Sequence, residues 1–235
     1  MILCLNDYMI KCDLHIHSKH SFDSMANPRQ IVDIAIRRGL QCVAIADHGN
    51  INGALEAAEY VKTNNLPILI IISEEVKSKS GDILGLNIKE SIPDHLSAPE
   101  SLKRIHEQGG LAVVAHPFGR WCGFKENLEN YLDQIDGIEI LNASVFAGNE
   151  TAAAFAKKHH LAFTAGSDAH FANHFIGKVW LELPLDYSPA LTTETVIDAI
   201  KQKRGATKGK MASFIEKAID HPFRTLTKAK TLFKN

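Results

Sequence analysis

The sequence predicts an α/β barrel, on three observations. Apolar strands alternate with amphipathic helices along almost the whole chain. The strands are nearly continuous apolar runs, as expected when they pair in parallel and helices cover the sheet. Most of these strands end on a His, Asp, Glu or Asn, and a parallel barrel gathers all its strand C-termini at one mouth.

Taken in order, "CDLHI" reads as a strand, with Cys12, Leu14 and Ile16 alternating with Asp13, His15 and His17. "NPRQIVDIAIRRG" (27–39) reads as a helix. Asn27 is its N-cap, Pro28 takes the first helical position, Ile31, Ile34 and Ala35 form the apolar stripe, and Gly39 stops it. "CVAIAD" (42–47) is a buried strand, "GALEAAEYVKTN" (53–64) a helix and "PILIIISEEV" (67–76) a strand. "ILGLNI" (83–88) adds a strand after the turn at Ser80, Gly81 and Asp82. "PESLKRIHEQGG" (99–110) is a helix, followed by the strand "LAVVAHP" (111–117). Residues 125–134 predict a weaker helix before the strand "GIEILNA" (137–143). A helix "NETAAAFAKKHH" (149–160), strands "AFTAGSD" (162–168) and "KVWLEL" (178–183), and a helix "TTETVIDAIKQKRG" (192–205) complete the pattern. About seven such units favour a barrel over an open sheet. Residues 1–205 therefore predict one barrel domain and 206–235 a basic tail.

With 45% hydrophobic and 23% charged residues, the 235-residue chain has core material enough without disulfides. Cys4, Cys12, Cys42 and Cys122 are widely spaced with no C-x-x-C pair, which excludes a zinc-ribbon or thioredoxin-like reading and fits a reducing compartment. No signal peptide is evident at the N-terminus, and the longest apolar run, 67–72, is too short to span a bilayer, so no membrane partner is expected. The expected location is the cytoplasm. From Gly205 onward seven Lys/Arg face Glu216 and Asp220, so this segment is +5 and the remainder −6. A basic tail is a handle for nucleic acid, while the acidic body argues against broad duplex binding.

The stretch "KCDLHIHSKHSFDSM" (11–25) crowds metal-capable side chains, and residues two apart on a strand share a face, so His15 and His17 project together. Asp47 and His48 end the second strand, Glu74 and Glu75 the third, His116 ends "LAVVAH", Asn142 ends "GIEILN" and Asp168 ends "AFTAGSD". Strands scattered over the chain thus deliver hard or borderline ligands to one rim, which predicts a metal site. Only one of Glu74 and Glu75 can face the barrel mouth, because successive strand residues alternate.

The motifs "DLHIHS", "SFDS", "IADHGNINGA", "EEV", "AHPFG", "EILN" and "GSDAH" resemble, in this order, those of the PHP (polymerase and histidinol phosphatase) family, over roughly residues 11–205. The resemblance implies a distorted (β/α)7 barrel with two or three metal ions at its mouth and hydrolysis of phosphate esters. It implies His15, His17, Glu75 and Asp168 on a first metal, and Asp23, His48 and His170 on a second. A third would share Glu75 and His116. Glu75 and Asp168 are the residues expected to serve catalysis, with Asp47 orienting its neighbourhood. The pattern departs where relatives carry a further histidine before the second apolar stretch. Here Asp82 stands, with His95 and His106 in the same interval, and this puts the third ion in question.

A His and carboxylate donor set suits Zn, Mn or Fe better than Ca. The expected nucleophile is a hydroxide bridging two ions, and neither a G-x-S-x-G elbow nor a Walker A loop offers an alternative. Arg120 in "HPFGR" is the candidate clamp for phosphate oxygens, with Lys19 second. His20, His159, His160 and His221 read as surface or helix-end residues, and His174 as a candidate substrate contact. The expected substrate is a small phosphorylated molecule or a nucleotide. The alternatives are a nuclease trimming short RNA or DNA with the basic tail as handle, and a noncatalytic binding module.

Overall fold

The computed structural model describes residues 9–171, 175–213 and 215–217. β1 (Ile10–Ile16), β2 (Cys42–Asp47) and β3 (Leu69–Lys77) lie side by side in parallel, joined by α1 (Pro28–Arg37) and α2 (Asn52–Asn64). Asn27 caps α1 by accepting a hydrogen bond from the Arg29 N–H, and Gly39 beyond its end takes φ +71°. After β3 the chain turns back at once, and β4 (Asp82–Leu86) runs antiparallel to it. The turn at 78–81 is fixed by the Ser78 hydroxyl donating to Gly81 O at 2.6 Å. So short a connection cannot hold a crossover, which needs a dozen or more residues.

α3 (Ala98–Glu107) leads to β5 (Leu111–Val114), antiparallel to β4. β6 (Gly137–Asn142) and β7 (Ala162–Gly166) extend the sheet in parallel, with α4 (Asn149–His159) between them. β8 (Val179–Leu183) pairs antiparallel with the first half of β1, and α5 (Thr193–Lys201) leads to β9 (Ala206–Gly209), antiparallel to β8. Among the described residues the strand order is β7–β6–β5–β4–β3–β2–β1–β8–β9.

The sheet curls until its β7 edge meets the second half of β1. Ile16 bridges Ala169, the His17 N–H donates to Ala169 O at 2.9 Å, and the Asp168 N–H donates to His15 O at 2.7 Å. Gly166 permits this approach, because a Cβ there would lie 2.2 Å from the Cβ of His15. Asp13 clasps the same seam: Oδ1 accepts from the Ser167 N–H at 2.8 Å and Oδ2 from the Gly177 N–H at 2.7 Å. The result is a mixed α/β fold around a nearly closed, barrel-shaped sheet.

Inside it, Cys12, Leu14, Ala44, Ile71, Leu84, Val113 and Leu181 pack with Ile197 and Ile200 of α5. Outside, α1 and α2 cover Val43 and Ile45, while α3 and α4 cover Ile83, Val114 and Ile138. Burial on both faces is why these strands read as unbroken apolar runs.

The structure differs from the sequence expectation in three respects. Among the described residues the sheet has nine strands, and β4, β8 and β9 each form antiparallel pairs where the alternation predicted parallel pairing, within the barrel-shaped α/β fold that was expected. Within 125–134 only a 3-10 turn forms, Leu128–Tyr131, capped by the Asn127 side chain. Residues 206–209, read as the start of the tail, form β9 and complete the sheet; 214 and 218–235 lie outside the described residues.

Candidate metal centre

Loops and strand ends from β1, β2, β3, β5 and β7 bring His15, His17, Asp23, His48, Glu75, His116, Asp168 and His170 together at the barrel mouth, all buried. β2 and β3 do this by simple alternation: Ala44, Ala46 and then His48 share one parity, as do Ile71, Ser73 and Glu75. β1 needs a break. Cys12 and Leu14 lie in the inner core and Ile16 in the outer one, and the register of β1 on β2 shifts between Asp13 and Ile16. Such irregularities re-aim side chains beside functional sites, and here His15 and His17 reach the mouth. His116 and Asp168 are re-aimed by backbone at φ +29° and +51°, a region that costs non-glycine residues energy.

Glu75 sits at the centre. Its Oε2 lies 3.1 Å from His17 Nε2, 3.2 Å from His15 Nε2 and 3.4 Å from His48 Nε2, and its Oε1 lies 3.0 Å from His116 Nε2. The Nε2 atoms of His15 and His17 are 3.2 Å apart. Asp168 Oδ1 is 3.4 Å from His17 Nε2 and 3.4 Å from His170 Nδ1, while Asp23 Oδ2 is 3.4 Å from His170 Nε2. Among the described residues, ligand atoms within 4.8 Å of one another form four overlapping triads: His15–Glu75–His116, His15–His17–Asp168, His17–His48–Glu75 and His17–Asp23–His170.

Burial works against charge on His15, His17, Asp23, His48, Glu75 and His116, and their contacts outweigh it in all but His48. Burial pushes His48 down to about 3. Burial also opposes charge on His17, but hydrogen bonds to Asp168 and Glu75 raise it to about 9. Despite burial, the imidazoles of His15 and His48 hold the Glu75 carboxyl well below its ordinary value. Three imidazole nitrogens converge on a single carboxylate oxygen, and as cations they would repel one another. Neutral imidazole lone pairs and carboxylate oxygens converging in this way are the donor set of a divalent transition-metal ion, so the residues present fit such a group.

The rings are held from behind. His15 Nδ1 lies 3.1 Å from Glu139 Oε1, while His48 Nδ1 donates to Glu75 O at 3.0 Å, His116 Nδ1 to Cys122 O at 3.2 Å and His170 Nδ1 to Asp168 O at 3.0 Å. Glu139, buried in β6, also accepts from the His116 N–H and from Asn142 Nδ2, both at 2.9 Å. The sequence reading singled out Asn142 and missed Glu139. Its signal was a lone acid in an otherwise apolar strand. Asp47 serves the β1–α1 loop instead of His48: its carboxylate accepts from the Ser18 N–H and hydroxyl at 2.5 and 2.6 Å. Gly53 makes room for this pair, since a Cβ there would lie 2.0 Å from Asp47 Oδ2. Glu74 faces the outer layer, where Oε2 accepts from the Ile92 N–H at 2.9 Å.

Above this floor opens a cavity of about 700 Å³, within the range of small-molecule sites. Lys77, Lys79, Arg120 and Lys125 line it, together with Trp121 and Phe146. Of these, the sequence reading named Arg120 alone. Asp82 and His95 also line the cavity, but neither enters a ligand triad. Lys19 and His20 are tied to Glu56, at 3.1 and 2.9 Å, and neither lines the cavity. His106 pairs with Asp136 at 2.9 Å and His159 lies 3.2 Å from Glu129, both on helices, and His160 ends α4 in left-handed backbone. His174 and His221 lie outside the described residues.

Residues 13–181 match the family model of the PHP domain. The chain belongs to the PHP domain family. An uncharacterized protein of Methanocaldococcus jannaschii is 37% identical to this PHP chain over 144 residues, covering 57% of this chain and 82% of the relative. A second from the same organism is 32% identical over 195 residues, covering 77% and 76%. Among solved structures, a two-domain Bacteroides vulgatus protein, described as containing a predicted PHP-like metal-dependent phosphoesterase, shares the fold with TM-score 0.72 at 19% identity, covering 89% of this chain and 68% of that one. No helix among the described residues is long and apolar enough to cross a membrane.

Proposed function

We propose that this PHP-family chain is a metal-dependent phosphoesterase acting on a small phosphorylated molecule or a nucleotide. The observation that carries the reading is one carboxylate, Glu75, ringed by four imidazole Nε2 atoms, at the base of a cavity edged by four cationic side chains. His15, His17, Glu75 and Asp168 would hold one divalent ion and Asp23, His48 and His170 a second, with Glu75 and His116 available to a third. Bound ions of this kind supply Lewis acidity toward phosphoryl oxygens and make water a nucleophile at neutral pH.

The chain's own residues supply the rest. Arg120, Lys77, Lys79 and Lys125 bind and orient the phosphate oxygens that face away from the floor, guanidinium by a planar fork and ammonium as point charges. Glu139 keeps the His15 ring turned so that its Nε2 faces the floor. The Glu75 and Asp168 carboxylates would receive the proton that leaves an attacking water. The nuclease alternative rests on the basic tail, most of which lies outside the described residues.

The test is elemental analysis of the purified protein combined with a panel of phosphate mono- and diesters, short oligonucleotides included. Phosphate release should depend on a divalent metal, be lost on chelation and return when metal is added back. No turnover with any divalent metal across the panel would reject the reading.

A further inference from the structure

Trp121 is 73% exposed and Phe146 38%, and both line the cavity above the metal centre. Their ring centroids are 5.3 Å apart at an interplanar angle of 79°, an edge-to-face pair, and neither belongs to the hydrophobic clusters that hold the fold together. The Arg120 guanidinium lies 5.4 Å from the Trp121 ring centroid, so a phosphate-reading group and a ring occupy neighbouring positions of one loop. Phe146 is in turn braced by the C-terminal segment. Lys217, buried, donates its Nζ to Val145 O and lies 5.1 Å from the Phe146 ring centroid, and the Ala212 N–H donates to Ala143 O at 3.1 Å. An ammonium out of water needs such partners, a carbonyl and a ring face.

We propose that Trp121 and Phe146 form a subsite for a planar ring carried by the alcohol part of the ester, and that Lys217 is the positioning residue for this wall. The proposal rests on the phosphoesterase reading and names its substrate class: phosphate esters bearing a nucleobase or an aryl ring. Aromatic side chains stack on any such ring whatever its hydrogen-bonding edge, while the cationic rim takes the phosphate. Ala212 and Lys217, which fall in the segment read from sequence as a basic tail, then belong to the wall of the substrate site.

The experiment compares two esters of a ribose 5′-hydroxyl that differ in carrying or lacking a ring, adenosine 5′-monophosphate and ribose 5-phosphate, on the full-length, metal-loaded protein. The wild type should prefer the first by about tenfold or more in kcat/KM. Trp121→Ala and Phe146→Ala should cut that preference by about tenfold through KM. Lys217→Met should move it the same way, and Lys217→Arg should keep it. Equal kcat/KM for the two esters, or a preference that survives both aromatic substitutions, overturns the subsite; an unchanged preference in Lys217→Met overturns the role of Lys217. Benzyl phosphate sorts the ring class: dependence on Trp121 extends the subsite to aryl rings, and indifference restricts it to nucleobases. A fluorescence titration with adenosine, which carries no phosphate, separates the two readings. Quenching that is absent in Trp121→Phe, with no ester turned over, keeps the subsite and rejects the phosphoesterase reading. Ester turnover with no quenching and no ring preference rejects the subsite alone.

Discussion

At the floor of the cavity His15, His17 and His170 expose no surface, and Glu139 or a backbone carbonyl holds the rings of His15, His48, His116 and His170 from behind. At the rim, Lys79, Arg120, Trp121 and Lys125 are all exposed, and Arg120 has no carboxylate partner among the described residues. The floor is thus fixed when the chain folds, and substrate meets ligands already in place. The rim side chains are exposed, and substrate that immobilised them would meet a cost of about 0.5–1.5 kcal/mol per side chain. Buried donors suit chemistry and exposed cations suit capture. Substitutions at the two levels should therefore fail in different ways.

The largest effect is expected at Glu75. Glu75→Gln should lower bound metal by about one ion and cut turnover by roughly 100-fold or more, because it removes the carboxylate shared by two of the ligand triads. Elemental analysis and steady-state rates measure both. Glu139→Gln comes next: with the charge behind His15 gone, metal affinity should fall by about 10- to 100-fold. A metal titration that matches the wild type would mean that the floor does not depend on its outer partners. Arg120→Ala, at the rim, should raise KM by about tenfold and leave kcat nearly unchanged. The opposite split would move Arg120 from capture to the reacting phosphate and erase the distinction drawn above.

The smallest effect on activity is expected one residue from the largest. Glu74→Gln should leave metal content and rate nearly unchanged, since Glu74 faces the outer layer. Metal loss in this variant and retention in Glu75→Gln would mean that β3 is shifted by one residue. Its signature is in stability instead. Burial raises the Glu74 carboxyl from 4.5 to about 7, so between those values the folded chain binds a proton that the unfolded chain has released. Stability therefore falls as pH rises through this window, and denaturant unfolding of Glu74→Gln from pH 4.5 to 7 should lack that part of the decline.

Much of this was legible in the sequence, for reasons that can be named. His48 and Glu75 continue the period-two pattern of their strands, and the Asn27–Pro28 and Gly39 signals bound α1 within two residues of where it lies. The eight residues read as ligands do come together, and the resemblance carried the assignments where periodicity alone was silent. β1 shows why periodicity is not enough: Leu14 and His15 both turn inward only because the register breaks between Asp13 and Ile16, and no residue type announces that break. Glu139 was missed because its partner His15 is 124 positions away. The rim was missed because Lys77, Lys79, Trp121 and Phe146 are ordinary residues individually, and only the folded loops bring them to one opening. The antiparallel return of β4 was hidden in the length of one turn.

Among the described residues the barrel closes on itself at its mouth, where a few backbone bonds and the Asp13 carboxylate join β1 to the end of β7. His15 and His17 stand on one lip of that opening, Asp168 and His170 on the other. An ion held from both lips would act as a rivet across them: parting the lips would release it, and removing it would leave the join to those few bonds.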